Sequence, residues 1–223
     1  MKIERALAKL HLVKINSNNF LISPDENNFR QSFFSKRFCT FIYQSNCIMN
    51  NIIITDFQLH HQPSFDQFNR QWIEADFEIE AVDEYVLSNP KEAILDKGGA
   101  ILMALCDGET AGTVGLKKID DSTFEFTKMA VGENFRRKGI AEALSYASFV
   151  KAAELGAKNI LLYSNTKNAA AIKLYEKLGF HHLPVEQGVY KRANVKMSIS
   201  IEDAMAASRI YYANKIQRQD SKE

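Results

Sequence analysis

Cysteine is scarce in this chain of 223 residues. The three cysteines, Cys39, Cys47 and Cys106, are odd in number and form no CxxC pair. A disulfide framework and a cysteine-ligated zinc site are therefore not expected, and a reducing, cytoplasmic compartment is the predicted location. No group of His, Asp and Glu residues has metal-ligand spacing either, so we expect no bound metal.

Long apolar runs and a strong excess of one charge are also missing. No apolar stretch approaches the ~20 residues that a membrane-spanning helix needs, so no membrane partner is expected. The formal net charge is +1, which does not suit a chain that binds polyanions over its whole surface. An anion, if one is bound, should therefore occupy a local site.

The first 49 residues differ in composition from the rest. They contain seven basic and three acidic residues, a net charge of +4, which leaves −3 for the remainder. This segment shows neither helical spacing nor clean alternation, and we interpret 1–49 as a loosely attached extension. A transit peptide is the alternative, although the acids and the scarcity of alanine speak against it. The ordered pattern begins just after Met49, which is itself a possible start.

From residue 51 onward, strand and helix patterns follow one another. The run NIIITDFQ predicts a strand, and helices are predicted over 63–77, 81–87 and 90–95. Three strands ending at Val131 follow, with a hairpin signal at Asp107-Gly108. A helix over 139–155, the strand NILLYS and a helix closed by Gly179 come next. The segments FHHLPV and VYKRANVKMSIS predict a final strand pair.

This order predicts an α/β fold with a mixed, mostly antiparallel central sheet and helices on both faces. The expected boundaries are an extension over 1–49, a domain over 50–200, and a helix with a polar tail over 201–223. That last helix carries Ile210, Tyr211 and Ile216. It is the candidate surface of a homodimer.

Three basic residues, Arg136, Arg137 and Lys138, stand directly before a glycine at the start of a helix. Like charges repel there, and a helix N-terminus already carries partial positive charge, so an external anion would relieve the repulsion. A strand–turn–helix unit points several backbone N–H groups at one spot, and the small residues Gly139 and Ala141 permit close approach. The turn predicts a phosphate or pyrophosphate site, although neither GxxxxGK[ST] nor GxGxxG is present. The alternative is a solvated basic turn without a ligand.

The turn resembles the [QR]xxGx[GA] signature of the GNAT acyltransferases, here Arg136-x-x-Gly139-x-Ala141. Downstream, SNTKNAAAIKLYEKLGF resembles the second block of that family, and it contains Asn168 and Tyr175. The resemblance covers roughly 52–197. It implies the GNAT fold, with a splayed pair of parallel strands, and an acetyl-CoA-dependent N-acetyltransferase that moves acetyl to a primary amine by direct attack on the thioester.

The resemblance also implies how acetyl-CoA would be held as the acyl-donor cosubstrate. The pyrophosphate would lie on the amides of the basic turn, and the pantetheine arm would pair with the preceding strand. The expected cofactor-binding residues are Met129, Ala130, Val131, Arg136, Arg137, Lys138, Gly139, Ile140, Ala141, Glu142 and Asn168. In the family, a backbone N–H of the splayed strand stabilises the oxyanion, and here Met129 is expected to provide it.

Tyr175 and Glu125 are the expected catalytic residues. In the family a tyrosine at the place of Tyr175 often protonates the departing thiolate, and neutral tyrosine is available at pH 7. Some GNAT members use a glutamate at the place of Glu125 as the base that deprotonates the amine. The alternatives are a core aromatic and a structural glutamate. No acid stands near Tyr163, where other members carry a glutamate, and this leaves the identity of the base open.

The expected acceptor is the amine of a small molecule or of a protein, and its identity cannot be read from the sequence. A non-catalytic acyl-CoA-binding regulatory module on the same fold is the alternative function. A nucleic-acid-binding domain that uses the basic turn is disfavoured by the −3 charge of the remainder, so no nucleic-acid partner is expected.

Overall fold

The computed structural model of the chain describes residues 52–186 and 190–220. The chain divides into a larger unit, 46–208, and a second unit made of 1–45 and 209–223. The predicted extension over 1–49, with Met49, Cys39 and Cys47, lies outside the described residues. The sheet and the candidate site belong to the larger unit.

The strands and helices of the described residues follow one another in the predicted order. The strands are β1 Ile52–Asp56, β2 Ala100–Cys106, β3 Glu109–Lys118, β4 Thr123–Val131, β5 Asn159–Ser164, β6 His181–Leu183 and β7 Val195–Ser200. The helices are α1 Gln62–Asp76, α2 Ala81–Ser88, α3 Ile140–Glu154, α4 Ala169–Lys177 and α5 Ile201–Asp220. A short π-helical turn, Lys91–Leu95, joins α2 to β2.

The sheet is mixed and mostly antiparallel, as predicted. Its strand order is β1-β2-β3-β4-β5-β7-β6. Strands β4 and β5 form the parallel pair, and the other neighbouring strands are antiparallel. The parallel pair is short, because β4 pairs with β5 only over Thr123–Glu125 and then continues to Val131. The two strands therefore splay apart beyond Glu125.

Helices cover both faces of the sheet. On one face a buried cluster joins α1, α2 and the π-helical turn to β2, and it contains Phe65, Ile73, Leu87, Ile94, Ile101 and Met103. On the other face Phe149 of α3 packs against Phe126 of β4 and Phe180, with ring centroids 6.5 and 5.7 Å apart. Because successive strand residues point to opposite faces, β2 is buried on both sides.

The final strand is shorter than the sequence predicted. The segment VYKRANVKMSIS was expected to be a strand throughout, but β7 begins only at Val195. The side chain of Asn194 donates from Nδ2 to Thr166 Oγ1 at 3.0 Å and accepts from the Thr166 N–H at 2.9 Å. These hydrogen bonds join residues 28 positions apart and hold Asn194 to the segment that follows β5. Residues 190–194 consequently form a loop.

Gly112 lets α3 pack closely on β3. A Cβ at this position would lie 2.9 Å from the Ala130 carbonyl oxygen and 3.1 Å from the side chains of both Ile140 and Leu144. Ile140 is the first residue of α3. Gly112 therefore helps to fix where α3 begins relative to β4.

We expect Gly112→Val to lower the free energy of unfolding by about 1–3 kcal/mol, because the added methyl groups overpack this contact. Urea unfolding at pH 7 measures the change. Thr110→Val, at a half-buried position of the same strand, is the matched control and should stay within about 0.5 kcal/mol. Equal free energies of unfolding for the two variants would contradict the role of Gly112.

Candidate active site

The candidate site begins where β4 separates from β5. Glu125, paired with Leu161, is the last residue of β4 in the parallel ladder. On its other edge β4 stays paired with β3, where Ala130 lies opposite Thr113 and Val131 opposite Gly112. The segment Met129–Val131 thus has a strand neighbour on one side only. An unpaired backbone edge of this kind accepts an extended ligand as an additional strand.

A β-bulge distorts β4 just before that open edge. The register with β3 shifts between Thr113 and Gly115, and Lys128 of β4 adopts a left-handed backbone with φ of 50°. Bulges re-aim side chains, often next to active sites. Here the Lys128 side chain reaches Asp83 of α2, with Nζ donating to Oδ1 at 2.6 Å.

The basic turn forms a concave array of backbone N–H groups. Arg137 and Gly139, which flank Lys138, both have left-handed backbones, with φ of 65° and 83°. Alternation of this kind makes a nest for an anion, and the first N–H groups of α3 add to it because a helix leaves them without internal acceptors. The positive φ of Gly139 favours glycine. A Cβ there would meet no atom within 4 Å, so the space beside the turn is open.

The side chains around this turn leave positive charge at the surface. Arg136, Arg137 and Lys138 are exposed. Arg136 lies 3.6 Å from Glu133, and Lys138 Nζ lies 5.2 Å from the centroid of the Phe135 ring. The charge, the nest and the open edge of β4 are continuous along the chain, and together they fit a diphosphate with an extended arm such as that of coenzyme A.

Asn168 occupies the N-cap position of α4. Its carbonyl oxygen accepts the N–H groups of Ala171 and Ile172 at 3.0 and 3.1 Å, but its side chain makes no capping hydrogen bond. The side-chain amide of Asn168 therefore does not cap the N-terminus of α4. Helix α4 lies beside the start of α3, because Lys177 Nζ bonds to Glu142 at 2.8 Å.

Tyr175 combines a core contact with a position next to the splayed strands. Its ring lies 5.9 Å from Phe126 and 6.0 Å from Phe180, centroid to centroid. Phe126 directly follows Glu125, so Tyr175 contacts β4 at the point where the parallel ladder ends. Burial raises the pKa of Tyr175 to about 12, so its hydroxyl stays protonated at neutral pH.

Glu125 is buried, and only one of its two carboxylate oxygens has a hydrogen-bond partner among the described residues. Its exposed fraction is 1%, and Oε1 accepts a hydrogen bond of 2.8 Å from the hydroxyl of Tyr190. Oε2 has no hydrogen-bond partner among the described residues. Buried polar atoms nearly always have a partner, so this oxygen marks a place for water or a ligand.

A buried charge cluster lies beside Glu125. We call Asp83, Lys128 and Arg192 the Asp83 cluster. Arg192 donates to both carboxylate oxygens of Asp83, and the Asp83 and Lys128 side chains are 0% and 3% exposed. Burial alone would raise the pKa of Asp83, but hydrogen bonds from Arg192 and the charge of Lys128 outweigh it and hold the pKa below its usual value. The cluster joins α2, β4 and the loop before β7.

Neither a metal-holding group of side chains nor a membrane-spanning helix is found within residues 52–186 and 190–220. No group of three or more His, Cys, Asp or Glu side chains there is arranged to hold a metal ion. None of the helices in these ranges is both long and apolar enough to cross a membrane.

The model of the acetyltransferase (GNAT) family matches residues 61–180. This range is more than half of the chain, and it contains β4, the basic turn and α4. The chain belongs to the GNAT acetyltransferase family. The resemblance stated from the sequence motifs is thereby confirmed.

Individual GNAT relatives extend the comparison. The human N-acetylaspartate synthetase is 32% identical over 103 residues, which are 46% of this chain and 32% of that protein. This chain therefore spans about a third of the length of that curated relative. The structure of a GNAT acetyltransferase from Staphylococcus aureus Mu50 has a TM-score of 0.61 and 21% identity, over 67% of this chain and 99% of its own.

A third comparison has ligands bound. The spermidine N-acetyltransferase of Vibrio cholerae in complex with CoA and spermine has a TM-score of 0.53 and 19% identity, over 70% of this chain and 98% of its own. At these identities the solved structures confirm the GNAT fold of this chain.

The sequence motifs did not indicate four polar residues that lie around Glu125 in the candidate site. These residues are Asp83, Lys128, Tyr190 and Arg192. Lys128 had the clearest signal, because it stands in the otherwise largely apolar stretch FEFTKMAV before the turn. Tyr190 and Arg192 gave none, because their partners Glu125 and Asp83 are 65 and 109 residues away.

We expect Asp83→Asn to lower the free energy of unfolding at pH 7 by about 3 kcal/mol, because it removes the ion-pair partner of the buried Lys128 and leaves Arg192 with Glu80 alone. The lowered pKa of Asp83 stabilises the fold above the unfolded pKa of ~3.9, and this contribution is lost as the pH falls through the folded value. The difference from wild type should therefore shrink below about pH 4.

Urea unfolding at a series of pH values measures this effect. Glu84→Gln is the matched control and should change little, because Glu84 is an exposed carboxylate on the same helix as Asp83 and pairs with Arg70 of α1. A difference between Asp83→Asn and wild type that stays constant from pH 7 to pH 3 would contradict the role of the charge.

Proposed function

We propose that this protein transfers an acetyl group from acetyl-CoA to a primary amine, which attacks the thioester carbon directly. The observation that carries the proposal is the buried, unpartnered Oε2 of Glu125 at the point where β4 leaves β5. From this point the open edge of β4 leads directly into the basic turn. A proton acceptor and a place for an acyl thioester are thus neighbours on one strand.

The relatives support an amine as the acceptor class. One is named for N-acetylaspartate, the product of acetylating the amine of an amino acid, and another is a spermidine N-acetyltransferase. Aspartate and spermidine both have a primary amine, but they differ otherwise in size and charge. The amine of a small molecule or of a protein therefore remains the proposed acceptor.

The proposed coenzyme A site uses backbone and charge. The N–H groups from Arg137 to Glu142 would bind the pyrophosphate, and the side chains of Arg136, Arg137 and Lys138 would balance its charge. The backbone of Met129–Val131 would pair with the pantetheine arm, and the free amide of Asn168 would contact it. When bound, acetyl-CoA would supply the activated acetyl group as a thioester, and coenzyme A would leave as the free thiol.

The proton balance is assigned to two side chains. A lysine-type amine has a pKa of ~10.4 in water, so it must lose a proton before or during attack. Glu125 Oε2 takes that proton, directly or through water, and the neutral nitrogen then forms the C–N bond. The nitrogen releases its second surplus proton to water, and the proton held by Glu125 returns through water to Tyr175 after the thiol has formed. Tyr175 supplies a proton to the sulfur as the C–S bond breaks, and the Met129 N–H is the proposed donor to the carbonyl oxygen.

We expect Gly139→Ala to weaken coenzyme A binding about tenfold, because a side chain at φ of 83° strains the turn and fills the space beside it. Titration calorimetry measures the affinity. Gly156→Ala, at φ of 85° and equally free of contacts at the other end of α3, should cost similar stability and leave the affinity unchanged. Equal affinities for the two variants would contradict a binding role of the turn.

We expect Glu125→Gln and Tyr175→Phe each to lower kcat about 100-fold, because each removes one proton-transfer group. Thiol release from acetyl-CoA measures kcat, with aspartate, spermidine and a lysine peptide as trial acceptors. Glu176→Gln, an exposed carboxylate on α4, is the control and should keep wild-type activity. No thiol release from the wild type with any amine, despite coenzyme A binding, would contradict the enzyme and favour a regulatory acyl-CoA-binding module.

A further inference from the structure

We infer that Tyr190 positions the Glu125 carboxylate for proton transfer. This inference rests on the proposed function, in which Glu125 is the base. Tyr190 lies outside both sequence motifs and outside the matched range 61–180. It belongs to the loop before β7.

The hydrogen bond divides the carboxylate into a held and a free oxygen. The Tyr190 hydroxyl donates to Oε1 at 2.8 Å, and Oε2 is left without a partner among the described residues. The exposed fractions of Tyr190 and Glu125 are 9% and 1%, so bulk water competes little for this bond. Fixing Oε1 limits rotation of the carboxylate and keeps Oε2 directed to one place.

The ring of Tyr190 is itself held from several sides. Lys128 Nζ lies 5.8 Å from its centroid and the Arg192 guanidinium 5.1 Å, both within the range of cation–π attraction. The ring of Tyr163 on β5 makes an edge contact at 5.9 Å. The phenol is therefore fixed in the orientation that reaches Glu125.

Hydrogen bonds hold the described residues 191–194 of the loop. Glu80, the N-cap residue of α2, accepts the N–H groups of Lys191 and Arg192 at 3.1 and 3.2 Å. Asn194 donates its N–H to the Ser164 carbonyl at 3.1 Å and exchanges two further hydrogen bonds with Thr166. These hydrogen bonds fix the backbone that directly follows Tyr190.

The chemistry makes Tyr190 a donor and leaves the proton transfer to Glu125. Burial, together with the charge of Glu125, raises the pKa of Tyr190, so it keeps its proton over the working pH range. A hydrogen bond to a charged carboxylate favours the ionised form, which is the form a base needs. The other charged or titratable groups facing this pair are Lys128 on β4, Asp83 on α2, Tyr163 on β5 and Arg192 on the loop.

The test compares Tyr190→Phe with wild type in the acetyl-CoA assay. We expect kcat to fall about tenfold, the KM for acetyl-CoA to stay within about twofold, and the acidic limb of the kcat/KM profile to move up by about one pH unit. Tyr85→Phe is the matched control, because Tyr85 makes the same 2.8 Å bond to a glutamate, Glu92, on the exposed surface. It should change neither kcat nor the profile.

The double variant tests whether Tyr190 acts by positioning Glu125 or only by packing in the core. In Glu125→Gln, adding Tyr190→Phe should cause no further loss of kcat, because the two residues act as one unit. A further tenfold loss there, or an acidic limb that does not move in Tyr190→Phe, overturns the inference. Full activity of Glu125→Gln overturns the proposed base as well, and so distinguishes the two failures.

A nearly isosteric replacement keeps the test valid if Tyr190→Phe does not fold. Site-specific 3-fluorotyrosine at position 190 has a more acidic phenol and is a stronger donor to Glu125. The acidic limb should then move to lower pH, in the opposite direction to that of the Phe variant. An unchanged limb with 3-fluorotyrosine contradicts the inference.

Discussion

The short pairing between β4 and β5 is the constraint on which the rest of the site depends. Three residues of β4 pair with β5, and the following six do not. Leaving backbone groups unpaired is costly in a folded domain, so the fold keeps this edge at the expense of stability. The edge ends at Val131, and the chain passes directly from it into the basic turn and α3. Strand, turn and helix N-terminus thus form one continuous surface, which is the proposed site of an extended anionic ligand.

The Asp83 cluster supports the opposite end of that surface. It links α2, the bulge of β4 and the loop before β7 through one buried carboxylate. Buried ion pairs contribute little net stability relative to apolar packing, although breaking one is costly. The cluster therefore specifies the relative placement of three segments that local sequence does not join. Glu125 and Tyr190 lie within this arrangement, with their hydrogen bond protected from bulk solvent.

The features that depend on residues close together in the sequence could be predicted from it. Helices and strands from Ile52 to Leu183 follow local periodicity and turn signals, and the basic turn is contiguous, so both were predicted. Tyr175 was predicted as a site residue or as a core aromatic, and its ring does pack with Phe126 and Phe180. The loop at Tyr190 was mistaken for strand, because its conformation depends on Asn194 bonding to Thr166. No local pattern reports a contact of that kind.

The residues around the two ends of the site come from the chain in different ways. The open edge and the turn occupy one stretch, 129–142, whereas the surroundings of Glu125 combine separate segments at 80–83, 125–128, 163 and 190–192. Insertions or exchanges in the connection between β6 and β7 alter the surroundings of Glu125. They leave every residue of the stretch 129–142 unchanged. Divergent copies of this domain can accordingly acquire new selectivity at one end while inheriting the other end intact.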